Sequence, residues 1–221
     1  MMLPPYPPST CESRKLSFER LLFVVEPMSV SDLEEVMSIE RVAFSAPWSV
    51  RAYRYEITEN RSSTMMVVRP APRSEGGLGS LRRQFAGRGP VLGYAGFWLL
   101  GDDAHIATIA VHPQWRRRGL GELLLLSLLD RGAELGARRA TLEVRVSNQA
   151  AQQLYFKYGF EIISLQKRYY ADNNEDAYIM ATPPFDTPWY QAHLHRRRIE
   201  LFGRLRIPGS ERANHSDPSN G

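Results

Sequence analysis

The chain has a single cysteine, Cys11, so it cannot form an internal disulfide. That fits a reducing compartment. Lysine is scarce: only Lys15, Lys157 and Lys167 contribute to the 28 basic side chains, and the rest are arginine. Long apolar runs are missing too. Leu123–Leu126 breaks at Ser127 and ends at Asp130, far short of the ~20 residues a membrane span needs. The N-terminal MMLPPYPPSTCESRK puts prolines where an export signal needs an apolar helix. A cytoplasmic, membrane-free protein is the expectation. Neither common nucleotide loop occurs, since there is no GxxxxGK[ST] and no GxGxxG. No histidine–cysteine cluster points to a metal; His105, His112, His193 and His195 read as surface residues.

What is present centres on Ile106–Gly121, IATIAVHPQWRRRGLG. Alternating, β-branched residues predict a strand through Val111, ended by His112-Pro113. Arg116-Arg117-Arg118-Gly119-Leu120-Gly121 follows as a basic, glycine-bearing turn, and then an apolar helix from Glu122 to about Gly136. Strand, basic turn and helix together can cradle an anion. Glycine lets backbone N–H groups come close, the helix N-terminus carries partial positive charge, and arginines flank it.

The 221 residues leave room for one domain of about 150–160 residues plus extensions. Residues 1–20 are expected to be disordered, 21–182 to form the domain, and 183–221 to be a C-terminal extension, partly helical and then disordered. Residues 70–89 form a flexible Arg/Gly-rich loop in this reading. Strands are predicted at 21–26, 64–69, 91–100, 104–111, 141–146, 161–167 and 176–181. Helices are predicted at about 31–43 (opened by a Ser31–Glu34 capping box), 50–60, 122–136, 149–158 and 189–205. This is an α/β (α+β) chain: a mixed, mostly antiparallel seven-stranded sheet flanked by helices on both faces.

The spacing R-x-x-G-x-G resembles the acetyl-CoA pyrophosphate loop of the Gcn5-related N-acetyltransferase (GNAT) superfamily. Residues 141–160, TLEVRVSNQAAQQLYFKYGF, resemble its LEVR-x-SN…LY-x-x-x-GF signature almost position for position. Residues 168–180, RYYADNNEDAYIM, resemble the terminal hairpin of Nα-acetyltransferases, and Ser38–Ser49, SIERVAFSAPWS, their IE…PWS segment. The set, over roughly residues 21–182, points to the ribosomal-protein-alanine N-acetyltransferase (RimI) branch and implies the GNAT fold.

The resemblance implies acetyl-CoA as co-substrate, with no metal, held by Ile109, Ala110, Val111, Arg116, Arg117, Arg118, Gly119, Leu120, Gly121 and Asn148. Glu143 matches the general base. A weak base suffices for an α-amine of pKa roughly 7.7–8.0, against ~10.4 for lysine. The plainer reading of Glu143 is a strand carboxylate paired with Arg145. Tyr155 matches the general acid, since its hydroxyl keeps its proton at neutral pH; alternatively it is a core aromatic. The Val111 N–H is the implied oxyanion donor. Asn148, which matches a position contacting the CoA arm, is also a natural helix N-cap. Phe44, Pro47, Trp48, Arg168, Tyr169 and Tyr170 fall where related enzymes close over a peptide N-terminus.

The implied substrate is a protein N-terminus, by analogy the N-terminal alanine of small-subunit ribosomal protein eighteen. The chain is expected to act as a monomer. Its Arg-rich extensions offer contacts for a ribosomal or tRNA-modification partner. Two other readings stay open: acetylation of lysine side chains or small amines, and a non-catalytic acyl-CoA-binding module. Departures from the family pattern are His112, where Asp or Asn is commoner, the 70–89 loop and the residues after Pro184.

Overall fold

A computed structural model describes residues 21–72 and 89–206. The expectations for residues 1–20, for most of the 70–89 loop and for the end of the C-terminal extension lie outside those residues.

Seven strands make one sheet: β1 Phe23–Pro27, β2 Ser63–Pro70, β3 Gly93–Leu100, β4 Asp103–Val111, β5 Arg139–Arg145, β6 Glu161–Tyr170 and β7 Glu175–Ala181. Their order is β1-β2-β3-β4-β5-β7-β6, and every pairing is antiparallel except β4 with β5. The helices are α1 Leu33–Ala43, α2 Val50–Thr58, α3 Leu120–Glu134, α4 Gln149–Lys157 and α5 Pro188–Leu205. Helices α1 and α2 cover one face over Val36, Ile39, Tyr53, Val67 and Tyr94. Helices α3, α4 and α5 cover the other over Leu124, Leu125, Leu128, Tyr158, Leu201 and Leu205.

Sequence accounts for these placements, with two shifts. Seven leucines of α3 are buried, Leu120, Leu123–Leu126, Leu128 and Leu129, which is nearly the whole circumference. A helix apolar all round needs cover on both sides. The sheet supplies one, and Leu201 and Leu205 of α5 the other. The buried stripe of α5 adds Tyr190, whereas Trp189 and Ile199 face outward. The capping box forms at Ser29 and Asp32 rather than at Ser31 and Glu34, opening a 3-10 turn that runs into α1. Asp32 wins because its other oxygen pairs with buried Arg69 of β2, so the carboxylate serves a cap and a tertiary contact at once.

Candidate active site

The parallel pair is short. Asp103–Ile106 of β4 face Arg139–Leu142 of β5, and beyond Ile106 the strands part. A bulge lies at the fork: Gly96 pairs with Thr108 and Phe97 with Ile106, which leaves Ala107 without a β3 partner. The extra residue resets the alternation, so that Ile109 and Val111 pack with Ile106 on the α3 face while Ala110 faces α1.

The fork leaves backbone groups open. His112 N–H bonds to Leu92 O, just before β3. Alternate residues of an antiparallel strand turn their polar groups to opposite edges. Ile109 and Val111 therefore aim theirs at the edge that β5 has left. Arg116 Nε, returning from the turn, donates to Val111 O at 3.2 Å.

A cleft of about 470 Å³ occupies the gap. Glu143, Tyr155, Ile109, Asn148, Phe44, Trp48, Tyr169 and Tyr170 all line it, so sequence-predicted residues from five segments meet there. Arg168 stands apart: it is exposed, holds a left-handed backbone with φ 50°, and donates its N–H to Asp176. Ala110 turns its side chain into the core under α1.

The cradle residues Arg116–Gly121 lie next to the cleft rather than in its lining. A 3-10 turn, Pro113–Trp115, leads into them. Arg117 and Gly119 both adopt positive φ, 62° and 84°. Arg118 stacks over Trp115 at 4.7 Å. Gly119 caps α3, whose first N–H groups have no partner within the helix. A Cβ on Gly121 would touch Leu154 of α4 and Val111 at 3.7 and 3.9 Å, so the cradle adjoins the end of β4.

Glu143 and Tyr155 differ in setting. Glu143 is part-exposed on β5, and its carboxylate meets His105 Nε2 at 3.2 Å. The opposite nitrogen of that ring, Nδ1, lies 3.1 Å from Thr141 Oγ1. The ring itself stacks on Trp98, which stacks on Trp48. Glu56 of α2 receives the Trp98 indole N–H at 2.7 Å. Tyr155 is 9 % exposed, with its ring against Phe160. Burial, and secondarily Tyr170, pushes its hydroxyl well above the usual 10. Asn148 is an N-cap in this structure, accepting from Ala151 N–H at 3.2 Å, and lines the cleft as well.

Two corrections follow. His105 is not a surface residue: it is a cleft residue bonded to Glu143. Arg145 is not the partner of Glu143. Its guanidinium instead bonds to Asp172 and Asn173 of the β6–β7 turn, to Glu175 at the start of β7 and to Ser45 before α2. It also lies 3.7 Å over the Tyr170 ring. Ser45 bonds to Asp172 as well, so the 44–48 segment and the hairpin are tied together over the end of β5. Burial raises the Tyr170 hydroxyl to about 12, against the opposing pull of Arg145. Bonds from Ser147, Asn173 and Arg145 hold Glu175 down at about 2.

Glu40 also lines the cleft, at its floor, and is 2 % exposed. It accepts from Trp48 N–H at 2.8 Å, from the Tyr53 hydroxyl at 2.9 Å and from the Tyr94 hydroxyl. Burial raises its pKa against those bonds. The sequence marked the IE…PWS segment; in the structure its Glu40 accepts from the Trp48 N–H.

Residues 33–160 match the acetyltransferase (GNAT) family. The chain is 37% identical over 156 residues to a Bacillus subtilis (strain 168) protein assigned as a [ribosomal protein bS18]-alanine N-acetyltransferase, covering 71% of this chain and 92% of that one. It is 32% identical over 161 residues to the [ribosomal protein bS18]-alanine N-acetyltransferase of Escherichia coli (strain K12), covering 72% and 96%. The crystal structure of the Escherichia coli ribosomal-protein-S18-alanine N-acetyltransferase overlays with a TM-score of 0.58 at 25% identity, covering 86% of this chain and 97% of that one.

Proposed function

Because the chain belongs to the acetyltransferase (GNAT) family, we propose that it moves the acetyl group of acetyl-CoA onto the N-terminal amine of a protein, that of ribosomal protein bS18 before others. The observation that carries this reading is the convergence of Glu143, Tyr155, open backbone edges and an aromatic gate on one fork in the sheet. The similarity to two bS18-alanine N-acetyltransferases supports the choice of substrate.

The residues fit acetyl-CoA. Two glycines and the free N–H groups of α3 suit a diphosphate: a Cβ on Gly119 would crowd Leu201 at 3.2 Å, in a left-handed backbone that only glycine holds without strain. The open edges of Ile109 and Val111 suit an extended arm laid beside β4 like an added strand. Acetyl-CoA supplies the thioester that the amine attacks and the thiolate that departs.

The chain supplies the rest. Glu143, oriented by His105, takes a proton from the α-ammonium group, directly or through one water, and the second proton that nitrogen must lose passes to solvent once the C–N bond has formed. The Val111 N–H donates to the carbonyl oxygen as the C–N bond forms and negative charge gathers there. Tyr155 gives its proton to sulfur as the C–S bond breaks, and solvent returns one to the phenolate. Phe44, Trp48, Tyr169 and Tyr170 narrow the opening to an extended chain end. Transfer is direct, without an acyl-enzyme: the amine attacks the thioester itself, and among the described residues no cysteine lines the cleft.

The test is incubation with acetyl-CoA and two peptides, following thiol release and product mass. One peptide begins Ala-Arg-Tyr with a free amine; the other is N-terminally blocked and carries an internal lysine. Acetylation of the first alone is expected. Acetylation of the second alone would move the chain to the lysine class.

A further inference from the structure

Helix α5 runs along α3 in the opposite direction. Arg204 grips Glu122 in the first turn of α3 through both carboxylate oxygens, each at 2.9 Å. Arg198 reaches Asp130, about two turns further on. Leu201 and Leu205 pack under Gly119, 3.2 and 3.4 Å from where its Cβ would stand. At its start α5 is pinned to the end of α4: the Tyr190 hydroxyl bonds to Tyr158 O and the His193 ring to Lys157 O. At its end, Leu205 O accepts from Leu22 N–H beside β1. The helix thus touches the Gly119 turn, α3 and α4 around the anion cradle.

Glu122 is the oddity there. A carboxylate in a first turn suits an isolated helix. It is out of place in a helix whose free N–H groups are to hold a diphosphate, because it competes for the same positive end and repels the ligand. Three donors draw it aside: Lys157 from α4, Arg204 from α5 and the Tyr158 hydroxyl. Two cations on one carboxylate leave the cluster positive. Burial opposes its charge, yet the bonds from Lys157 and Arg204 keep its pKa below the usual carboxylate value. Its side chain is 15% exposed, so these partners hold it in one place.

We propose that α5 is a built-in brace for the acetyl-CoA cradle, and that Arg204 is a positioning residue for acetyl-CoA, acting through Glu122. This rests on the reading of the cradle given above. Arg204 neutralises Glu122 and holds it away from the phosphates, while the leucines behind Gly119 fix the turn that presents the N–H groups. Loss of Arg204 leaves Glu122 paired with Lys157, so the cluster loses its surplus positive charge beside the first turn of α3.

The experiment is calorimetric titration with acetyl-CoA of the full chain and of Arg204→Ala, Glu122→Gln and the double variant, with thermal unfolding of each as a control on folding. Arg204→Ala is expected to raise the Kd about fivefold at low salt and less at high salt. It should raise the KM for acetyl-CoA in step, while the peptide KM moves less than about twofold. The double variant is expected to bind within about twofold of the parent, since removing the carboxylate removes the need for its guard. An unchanged Kd in Arg204→Ala would overturn the proposal, and so would a double variant as weak as the single one. A loss seen with acetyl-CoA but not with its 3′-dephospho form would overturn it too, making Arg204 a direct phosphate ligand. If the parent chain itself fails to bind acetyl-CoA, the cradle reading is what falls.

Discussion

The two ends of the cleft are built by opposite means. The cradle end is backbone: a left-handed glycine, free helix N–H groups and the unpaired edge of β4. The gate end is side chain: Phe44, Trp48, Tyr169 and Tyr170, held in place by Arg145 reaching across to Asp172, Glu175 and Ser45. A ligand common to every turnover suits the first kind of surface. A peptide end selected by its shape suits the second. Glu143 and Tyr155 sit where the two surfaces meet.

Substitutions can break this division. The largest effect is expected at the meeting point. Glu143→Gln should lower kcat by about 10²–10³ at neutral pH, with acetyl-CoA affinity and melting temperature retained, as read by initial rates of thiol release. A rate within about threefold of the parent would remove Glu143 as the base. Gly119→Ala tests the cradle. A left-handed alanine costs about 1–2 kcal/mol before its contact with Leu201 is counted. Acetyl-CoA should bind about tenfold more weakly while the peptide KM holds. Arg145→Ala tests the gate with the reverse pattern: a peptide KM raised several-fold, up to about tenfold, with acetyl-CoA affinity intact. If both variants moved both constants alike, the two ends would not be separable.

The pH profile sharpens the comparison with the smallest perturbation. The rate should rise through the α-amine pKa, roughly 7.7–8.0. Tyr155 acts only while protonated. Because burial raises its pKa above the ordinary 10, the falling limb lies beyond that value. A fall between about pH 8 and 9 would point to another acid. On the acid side, the bonds to Glu122 help stability above its unfolded pKa of 4.5 and are lost as pH falls through the lower folded value. The brace should therefore loosen only below about pH 4.5, with a drop in melting temperature that Glu122→Gln does not show.

The same contrast explains what could be read from the sequence. The cradle is contiguous, and its glycines and arginines stand in one short run, so the fold and the basic turn that opens α3 were legible at once. Strands and helices fell within a few residues of their predicted bounds because alternation and caps are local signals. The gate's aromatics were marked by resemblance, yet the residues that hold them were not. Arg145 finds Asp172 and Glu175 through the β5–β7 register, and His105 finds Glu143 through the β4–β5 register. Neither register is written in either strand alone. His105 shared a strand face with no obvious partner until Thr141 and Glu143 came alongside. The Ser29 box was equally hidden, since its advantage over Ser31 lies in Arg69, 37 residues from Asp32.

One consequence of the bulge at Ala107 concerns time rather than shape. An added residue in a strand is like a dislocation in a crystal: local jostling cannot heal it, because healing requires sliding half the strand past its neighbours. The fork is thus locked in when the sheet forms and stands ready between turnovers. Amides of Ile109 and Val111, lacking strand partners on that edge, should exchange with deuterium quickly in the free protein and slow once acetyl-CoA is bound, while their neighbours Ala110 and His112 keep one pace throughout.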